Sequence, residues 1–356
     1  MKQISLMVLV LILSLSAYAE TPHLKVGALL SLTGPLSWLG QDTADGMALC
    51  AEDKVSVVFE DHRSQPQAAV AAFQKLLAYD GATFVVANLT SVAQALIPIA
   101  QSRGVPLLLT TVSSGEVAKR GGLNVANLFT TAEQDGPIVA DALARHFQYK
   151  SAGILFLEGD FGLSYADAFG KRFVEDGGVV TFRDSYIGTT GDFRAQLTKI
   201  KAVNPDALFV IGYDSHLQAI VRQAREIGLK SRLASNWLMS APPLRKGNEQ
   251  AYEGVICTSP LFYLEQTEEA RRFSGQFTAR FHRDPTVYAA IGCDIGRVLA
   301  EHASESPTSV MKSIRSMNNV PGITGSLTAN QEGIVRFPLI PVEIKGGMLE
   351  RNSGAL

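Results

Sequence analysis

VVANLTSVAQALIPIAQSRGVPLLLTTVSS, residues 85–114, opens on an apolar run, breaks at Asn88, takes a helical spacing, and ends in a second apolar run. FVVAN (84–88) reads as a strand, Ser91 to Ser102 as a helix with Pro98 inside it, and VPLLLT (105–110) as another strand. Strand, helix and strand at this spacing make a βαβ unit with parallel strands. Thr90 and Ser91 stand where strand gives way to helix. A hydroxyl at that place can cap the helix. Together with the free amides and the positive end of the helix dipole, it can equally hold an anion such as a carboxylate. The stretch alone leaves both readings open.

The same alternation extends along the chain. Strands are expected at 24–32, 55–61, 152–159, 179–187 and 207–213, with helices between them at 41–51, 66–78, 135–147, 162–177, 193–202 and 216–227. Short strands at 232–237 and 254–260 precede helices at 267–282 and 287–302, and short strands fill 321–349. The strand runs are continuously apolar, as strands buried on both faces require. About ten such units are too many for one ordinary doubly wound sheet, so the expected fold is α/β with two lobes, each a mostly parallel sheet flanked by helices. Ligands of such sheets bind beyond the carboxyl ends of the strands. The loops to search are therefore 31–40, 88–91, 110–115, 158–163, 213–216 and 235–240.

The chain begins MKQISLMVLVLILSLSAYAE, with Lys2, an apolar run from Ile4 to Leu15, and Ala17-Tyr18-Ala19 as a cleavage site. The apolar run is shorter than the roughly 20 residues a membrane span needs, so residues 1–19 read as a secretory signal peptide. The mature protein is expected in the periplasm, with no lipid attached, since no Cys follows the cleavage point. A formal net charge of −2 argues against nucleic acid or an anionic membrane as partner. The three cysteines, Cys50, Cys257 and Cys293, permit one disulfide at most, and their spacing fits neither a zinc nor a redox motif. Each reads as a small buried apolar side chain.

Enzyme signatures do not appear. There is no G-x-G-x-x-G after the first strand, no G-x-x-x-x-G-K-[ST], no H-E-x-x-H and no G-x-S-x-G. The 6 histidines have no metal-ligand spacing, and the strand-end acids Glu60, Asp61, Glu158 and Asp160 read as turn formers. No catalytic residue, cofactor or metal is expected; an exported hydrolase on an α/β scaffold is the enzymatic alternative.

Six segments, in order, carry a resemblance: KVGALLSLTGPLSWLGQD (25–42), residues 85–114, FTTAEQD (129–135), GDFGLSYADAFGKRF (159–173), DALFVIGYDSHLQAIVRQAREIGLK (206–230) and YAAIGCDIGRVLA (288–300). Together they resemble the Leu/Ile/Val-binding family of type I periplasmic solute-binding proteins, over about residues 24 to 350. The resemblance implies two lobes joined by three crossings, with residues 20–136 and 260–325 in lobe 1 and 137–259 and 326–356 in lobe 2. It implies a cleft that closes on a small-molecule ligand, delivery to the permease of an ABC importer, and a monomer. A sensor of the same fold is the other reading it allows.

The resemblance also assigns residues. Ser91 and Ser113 fall where the family binds a ligand carboxylate. Phe161 and Tyr213 fall at aromatic positions of the second lobe, Tyr288 and Trp38 at the hydrophobic end, and Asp135 near a ligand ammonium. Trp237 stands where amino-acid binders carry the acid that pairs the ammonium. A buried ammonium without a carboxylate is costly. Either Asp135, alone or with Asp214, takes that role for an amino acid of the branched-chain type, the ligand the resemblance implies, or the ligand is an aromatic or branched carboxylate or an amide without an ammonium, contacted by Trp237 or Asn236. The short stretch ALCAEDKVSVV (48–58) implies a trimmed first helix.

Overall fold

The computed structural model describes residues 24–51, 54–245 and 247–352; the expected signal peptide lies outside them. In chain order the first half comprises β1 (Lys25–Leu30), α1 (Ser37–Ala51), β2 (Ser56–Asp61), α2 (Pro66–Ala78), β3 (Phe84–Asn88), α3 (Thr90–Arg103), β4 (Leu107–Thr110), α4 (Gly115–Lys119), β5 (Val125–Leu128), α5 (Ala132–Asp141), β6 (Ser151–Leu157) and α6 (Asp160–Glu175). There follow β7 (Val179–Tyr186), α7 (Arg194–Val203), β8 (Ala207–Ile211), α8 (Asp214–Glu226), β9 (Arg232–Ser235), α9 (Pro242–Arg245), α10 (Glu249–Tyr252), β10 (Ile256–Pro260), α11 (Leu261–Leu264), α12 (Glu268–Phe281), α13 (Val287–Glu301) and α14 (Pro307–Arg315). The chain ends in β11 (Val320–Gly322), β12 (Gly325–Ala329), β13 (Ile334–Arg336), β14 (Leu339–Lys345) and β15 (Met348–Arg351).

These strands form two sheets, in the orders β11-β12-β13-β5-β4-β3-β1-β2 and β15-β14-β10-β9-β8-β6-β7. β1 to β5 pair in parallel, as do β6 to β10. In both sheets the first strand lies between the second and third, so each lobe has a switch point where successive crossovers diverge, the place such sheets bind ligands. β3, β4 and β8 are buried at every residue, which explains their unbroken apolar runs.

Sheet membership corrects two of the expected crossings. α5 packs on α6, with Gly136 against the backbone of Phe169, so the chain passes to the second lobe at 129–131 rather than after 136. β12 and β13 remain in the first sheet, β13 pairing in parallel with β5, so the last crossing falls at 337–338 rather than at 325. The hairpin signals of 320–336 look alike in sequence whichever sheet they join. β10 ends at Pro260, where the middle crossing is expected, and α11 begins at Leu261.

The cysteine reading is corrected as well. Cys50 of α1 and Cys293 of α13 form a disulfide, and buried Cys257 in β10 keeps its thiol. Glycines press the two helices together. A Cβ on Gly46 would lie 2.0 Å from the Ala289 carbonyl oxygen, and one on Gly292 would lie 2.1 Å from that of Thr43. This approach sets the cysteine Cα atoms 5.0 Å apart, within bridging range. α1 starts at Ser37 and runs for 15 residues, earlier than the sequence spacing indicated.

Candidate functional site

The carboxyl ends of β3 and β4 in one lobe face those of β8 and β9 in the other. On the first lobe the chain leaves β3 through Leu89, whose φ of 75° is unusual for a branched residue. That turn makes Thr90 the first residue of α3 and aims it inward. β4 leaves through Thr111, also at positive φ (56°), and reaches Ser113. The Ser113 amide donates to Thr90 Oγ1 at 3.3 Å, and Asn127 Nδ2 donates to the Val112 carbonyl at 2.9 Å, so the two loops hold one another. Asn88 fastens the strand ends beneath: its Oδ1 accepts from the Ser31 amide and meets His62 Nε2 at 2.6 Å.

The second lobe contributes rings. Phe161 in the first turn of α6 and Tyr213 at the cap of α8 lie parallel, 5.1 Å apart and 6° from coplanar. After β9 the chain turns through a 3-10 segment, Trp237–Ser240, which buries Trp237 against Phe129 at 5.7 Å and Tyr288 at 5.5 Å. Asp135 stands behind this wall. It is fully buried and accepts hydrogen bonds from Tyr165 Oη (3.0 Å), the Trp237 amide (3.3 Å) and Thr258 Oγ1. Burial raises its pKa to about 6, against the pull of those three donors.

Between the walls lies a narrow cavity of about 30 Å³. Thr90, Thr111 and Ser113 line it from lobe one, and Phe161, Tyr165, Tyr213, Asn236 and Trp237 from lobe two. Leu39, Leu89, Phe129, Leu238 and Tyr288 complete the lining, which holds no charged side chain. Burial raises the Tyr213 phenol to about 12, so it is a neutral group at neutral pH. One polar atom of the lining, Thr111 Oγ1, is buried without a hydrogen-bond partner, while the Asn236 side chain meets the Tyr165 phenol, whose hydrogen goes to Asp135. The lobes touch at the cleft mouth, where Gln94 Nε2 of α3 donates to Asp160 Oδ2 of α6 at 2.6 Å and the Gly115 amide donates to Glu133.

Of the residues singled out in the sequence, Ser113, Phe161, Tyr213, Trp237 and Tyr288 come together in the lining. Ser91 does not. It is exposed on α3, one residue past Thr90, because the turn at Leu89 starts the helix earlier than its apolar spacing indicated. Asp135 does not line the cavity, its oxygens being taken by the three donors behind the wall. Trp38 is also outside, edge-on to Tyr288 at 5.1 Å, while its neighbour Leu39 reaches inside. Thr90 was weighed beside Ser91 but not chosen, and Thr111 was missed; the sign available for Thr111 was a hydroxyl directly after a buried strand.

Comparison with known proteins agrees with this architecture. A family model described as periplasmic binding protein matches residues 23–347. The Leu/Ile/Val-binding protein homolog 3 of Brucella melitensis is 26% identical over 231 residues, 61% of each chain, so the match spans under two thirds of that relative. A leucine binding protein from Thermotoga maritima superposes with a TM-score of 0.82 at 22% identity, covering 92% of this chain and 97% of that one. A solute binding protein of an ABC transporter from R. palustris, in complex with benzoate, superposes at 0.80 with 20% identity, covering 93% and 95%. The two-sheet architecture is thus the type I periplasmic binding protein fold expected from the sequence. With two parallel sheets facing across a lined cleft, and the model matching nearly every described residue, this chain belongs to the periplasmic binding protein family.

Proposed function

We propose that this protein is the substrate-binding component of an ABC importer, which closes its lobes on a small carboxylate with an apolar, ring-sized body and no ammonium group. One observation carries the reading: Thr111 Oγ1, a buried hydroxyl with no hydrogen-bond partner in the protein, lines the cavity. An unsatisfied buried donor costs about 1–3 kcal/mol, and a charged acceptor repays it most strongly. Ser113, the Thr90 hydroxyl and the start of α3 add donors and a positive dipole end on the same wall.

The lining offers an ammonium no carboxylate. Trp237 fills the place expected of one, and Asp135 would have to give up hydrogen bonds to turn inward. Aromatic wall and donors instead suit an aromatic acid, and the benzoate-bound relative in R. palustris supports this. The Leu/Ile/Val-binding relative in Brucella favours a second reading, a branched amino acid.

Binding works by population shift. Donors on both lobes reach the ligand together only when the cleft is shut, so ligand favours the closed form. The three crossings supply the hinge, and the closed surface is what a permease would recognise. No step makes or breaks a covalent bond. The protein acts as a monomer in the periplasm; among the described residues no helix is long and apolar enough to cross a membrane.

A thermal-shift series with benzoate, aliphatic carboxylates and branched amino acids tests this. A ligand that binds only the folded form raises the melting temperature by mass action. Ammonium-free acids are expected to shift it; a shift with branched amino acids alone would replace this reading with the second one.

A further inference from the structure

Three strand ends of the first sheet meet at one buried imidazole. His62, one residue past β2 and wholly enclosed, receives the Ser64 amide at Nδ1, 3.1 Å away. A ring nitrogen that accepts carries no hydrogen, so the hydrogen of the neutral ring is on Nε2, which donates to Asn88 Oδ1 at 2.6 Å. Asn88, the last residue of β3, is thereby fixed in orientation: Oδ1 accepts from the ring and from the Ser31 amide, and Nδ2 donates to Ser31 Oγ at 3.2 Å. Ser31, one residue past β1, gives its own hydrogen to the Leu36 carbonyl at 3.0 Å. Two chain exits that reach the cavity leave from this network. One is the left-handed turn at Leu89, which follows Asn88 and sends Thr90 inward; the other is the loop from Ser31 into α1, which carries Leu39. The ring also holds its own turn. Arg63 and Ser64 stand at positive φ (53° and 60°), and a Cβ on Gly34 of the β1–α1 loop would lie 3.1 Å from the Arg63 carbonyl oxygen, so the two loops rest on each other.

We infer that His62 is a positioning residue for ligand binding: its neutral Nε2–H imidazole holds the Asn88 amide, and through it the exits of β1 and β3, so acid weakens binding by charging the ring. A second ring hydrogen would sit on Nδ1 and point at the Ser64 N–H, donor against donor. The turn at 63–64 must then open, and the Nε2 bond to Asn88 goes with it. Burial holds the ring below the ordinary histidine pKa, against the Asn88 contact and the Asp61 charge. Asp61 is the charged neighbour on the ring's own strand, its carboxylate taken by the amides of Leu32, Thr33 and Arg63 and by the Thr33 hydroxyl. β1, β3 and the start of α2 set neutral groups against His62: the Leu30 carbonyl, Asn88 and the Gln65 amide. The inference rests on the cleft holding a ligand, as proposed above, and not on which acid it takes.

Titration calorimetry of the full chain with benzoate and with leucine, at about pH 7.5 and about pH 5, reads the role. Asp135, Asp214 and Asp294 all titrate near 6, so the comparison is with His62→Gln, which keeps them, keeps a side-chain donor and cannot charge. Wild type is expected to lose at least three-fold more affinity on acidification than His62→Gln does. At the higher pH, His62→Leu, with no donor for Asn88, should bind ten-fold or more weakly, and His62→Gln should recover most of that loss, with circular dichroism certifying both folds. If His62→Leu does not fold, the pH comparison with His62→Gln decides alone. Equal pH dependence in wild type and His62→Gln, or His62→Leu binding as tightly as wild type, overturns the inference and leaves the carboxylate reading standing. If neither probe binds, the carboxylate reading falls and the free protein decides: the Leu89 and Thr90 amide resonances should move with pH in wild type and much less in His62→Gln, and equal movement overturns the inference.

Discussion

The two walls of the cleft are made of different materials and held by different means. Lobe one presents hydroxyls on loops bent by left-handed residues, Leu89 and Thr111, and braced locally by Asn88 and Asn127. Lobe two presents rings, and its brace is a single buried carboxylate, Asp135, that gathers a phenol, an amide and a hydroxyl from three separate elements. The first wall is held by several separate fastenings. The second is one long-range node, so it should fail as a unit.

Asp135→Ala tests that difference most severely. It leaves three buried donors unanswered and should destabilise the protein by about 3–5 kcal/mol in urea denaturation. A loss below about 1 kcal/mol would mean that the rings hold themselves. The same residue gives a pH signature. Its carboxyl titrates near 6 in the folded chain and near 3.8 in the unfolded one. Between those values the folded state holds more protons, so this group makes stability fall as pH rises from about 4 to 6, and it is flat above. The difference between wild type and Asp135→Asn should show that slope; a flat difference would put the proton elsewhere.

Lobe one's long-range fastening is the Cys50–Cys293 bridge. Cys50→Ser with Cys293→Ser is expected to lower stability by about 2–4 kcal/mol. Ligand affinity should change less than three-fold, since neither cysteine lines the cavity. A large loss of affinity in calorimetry would tie the first wall to the helices behind it. Thr111→Val probes that wall directly: binding of the preferred acid should weaken by about 1–2 kcal/mol with stability held or improved, because an orphaned hydroxyl is removed. The smallest effect belongs to Ser91→Ala, within about 0.5 kcal/mol for binding and stability alike, as an exposed position predicts.

What the sequence disclosed follows the same division. Apolar runs and helical spacings located the strands, and the loops after them held most of the lining, including Ser113, Phe161 and Tyr213. The slip from Thr90 to Ser91 came from phase. The positive φ at Leu89 decides which hydroxyl turns inward, and no spacing rule encodes it. Asp135 was legible as an acid at a helix start. That its oxygens are already taken depends on Thr258, far along the chain, and on the turn of Trp237. The disulfide was hidden for a similar reason: glycines on two distant helices bring the cysteines together, and each glycine in isolation says nothing about the other helix.

The bridge between α1 and α13 also sets a schedule. Its partners are separated by 243 residues, and a chain that emerges amino end first presents Cys50 long before Cys293. Cys257 appears in the interval, so under oxidising conditions the first pairing on offer is the wrong one. Lobe one cannot be sealed until lobe two has been made, and a mispaired Cys50–Cys257 intermediate would tether α1 to a strand of the other lobe. Cys257→Ala should therefore raise the share of correctly bridged protein on oxidative refolding, at a modest cost in final stability for a fully buried side chain, so the order of thiol exposure is a property this cysteine governs.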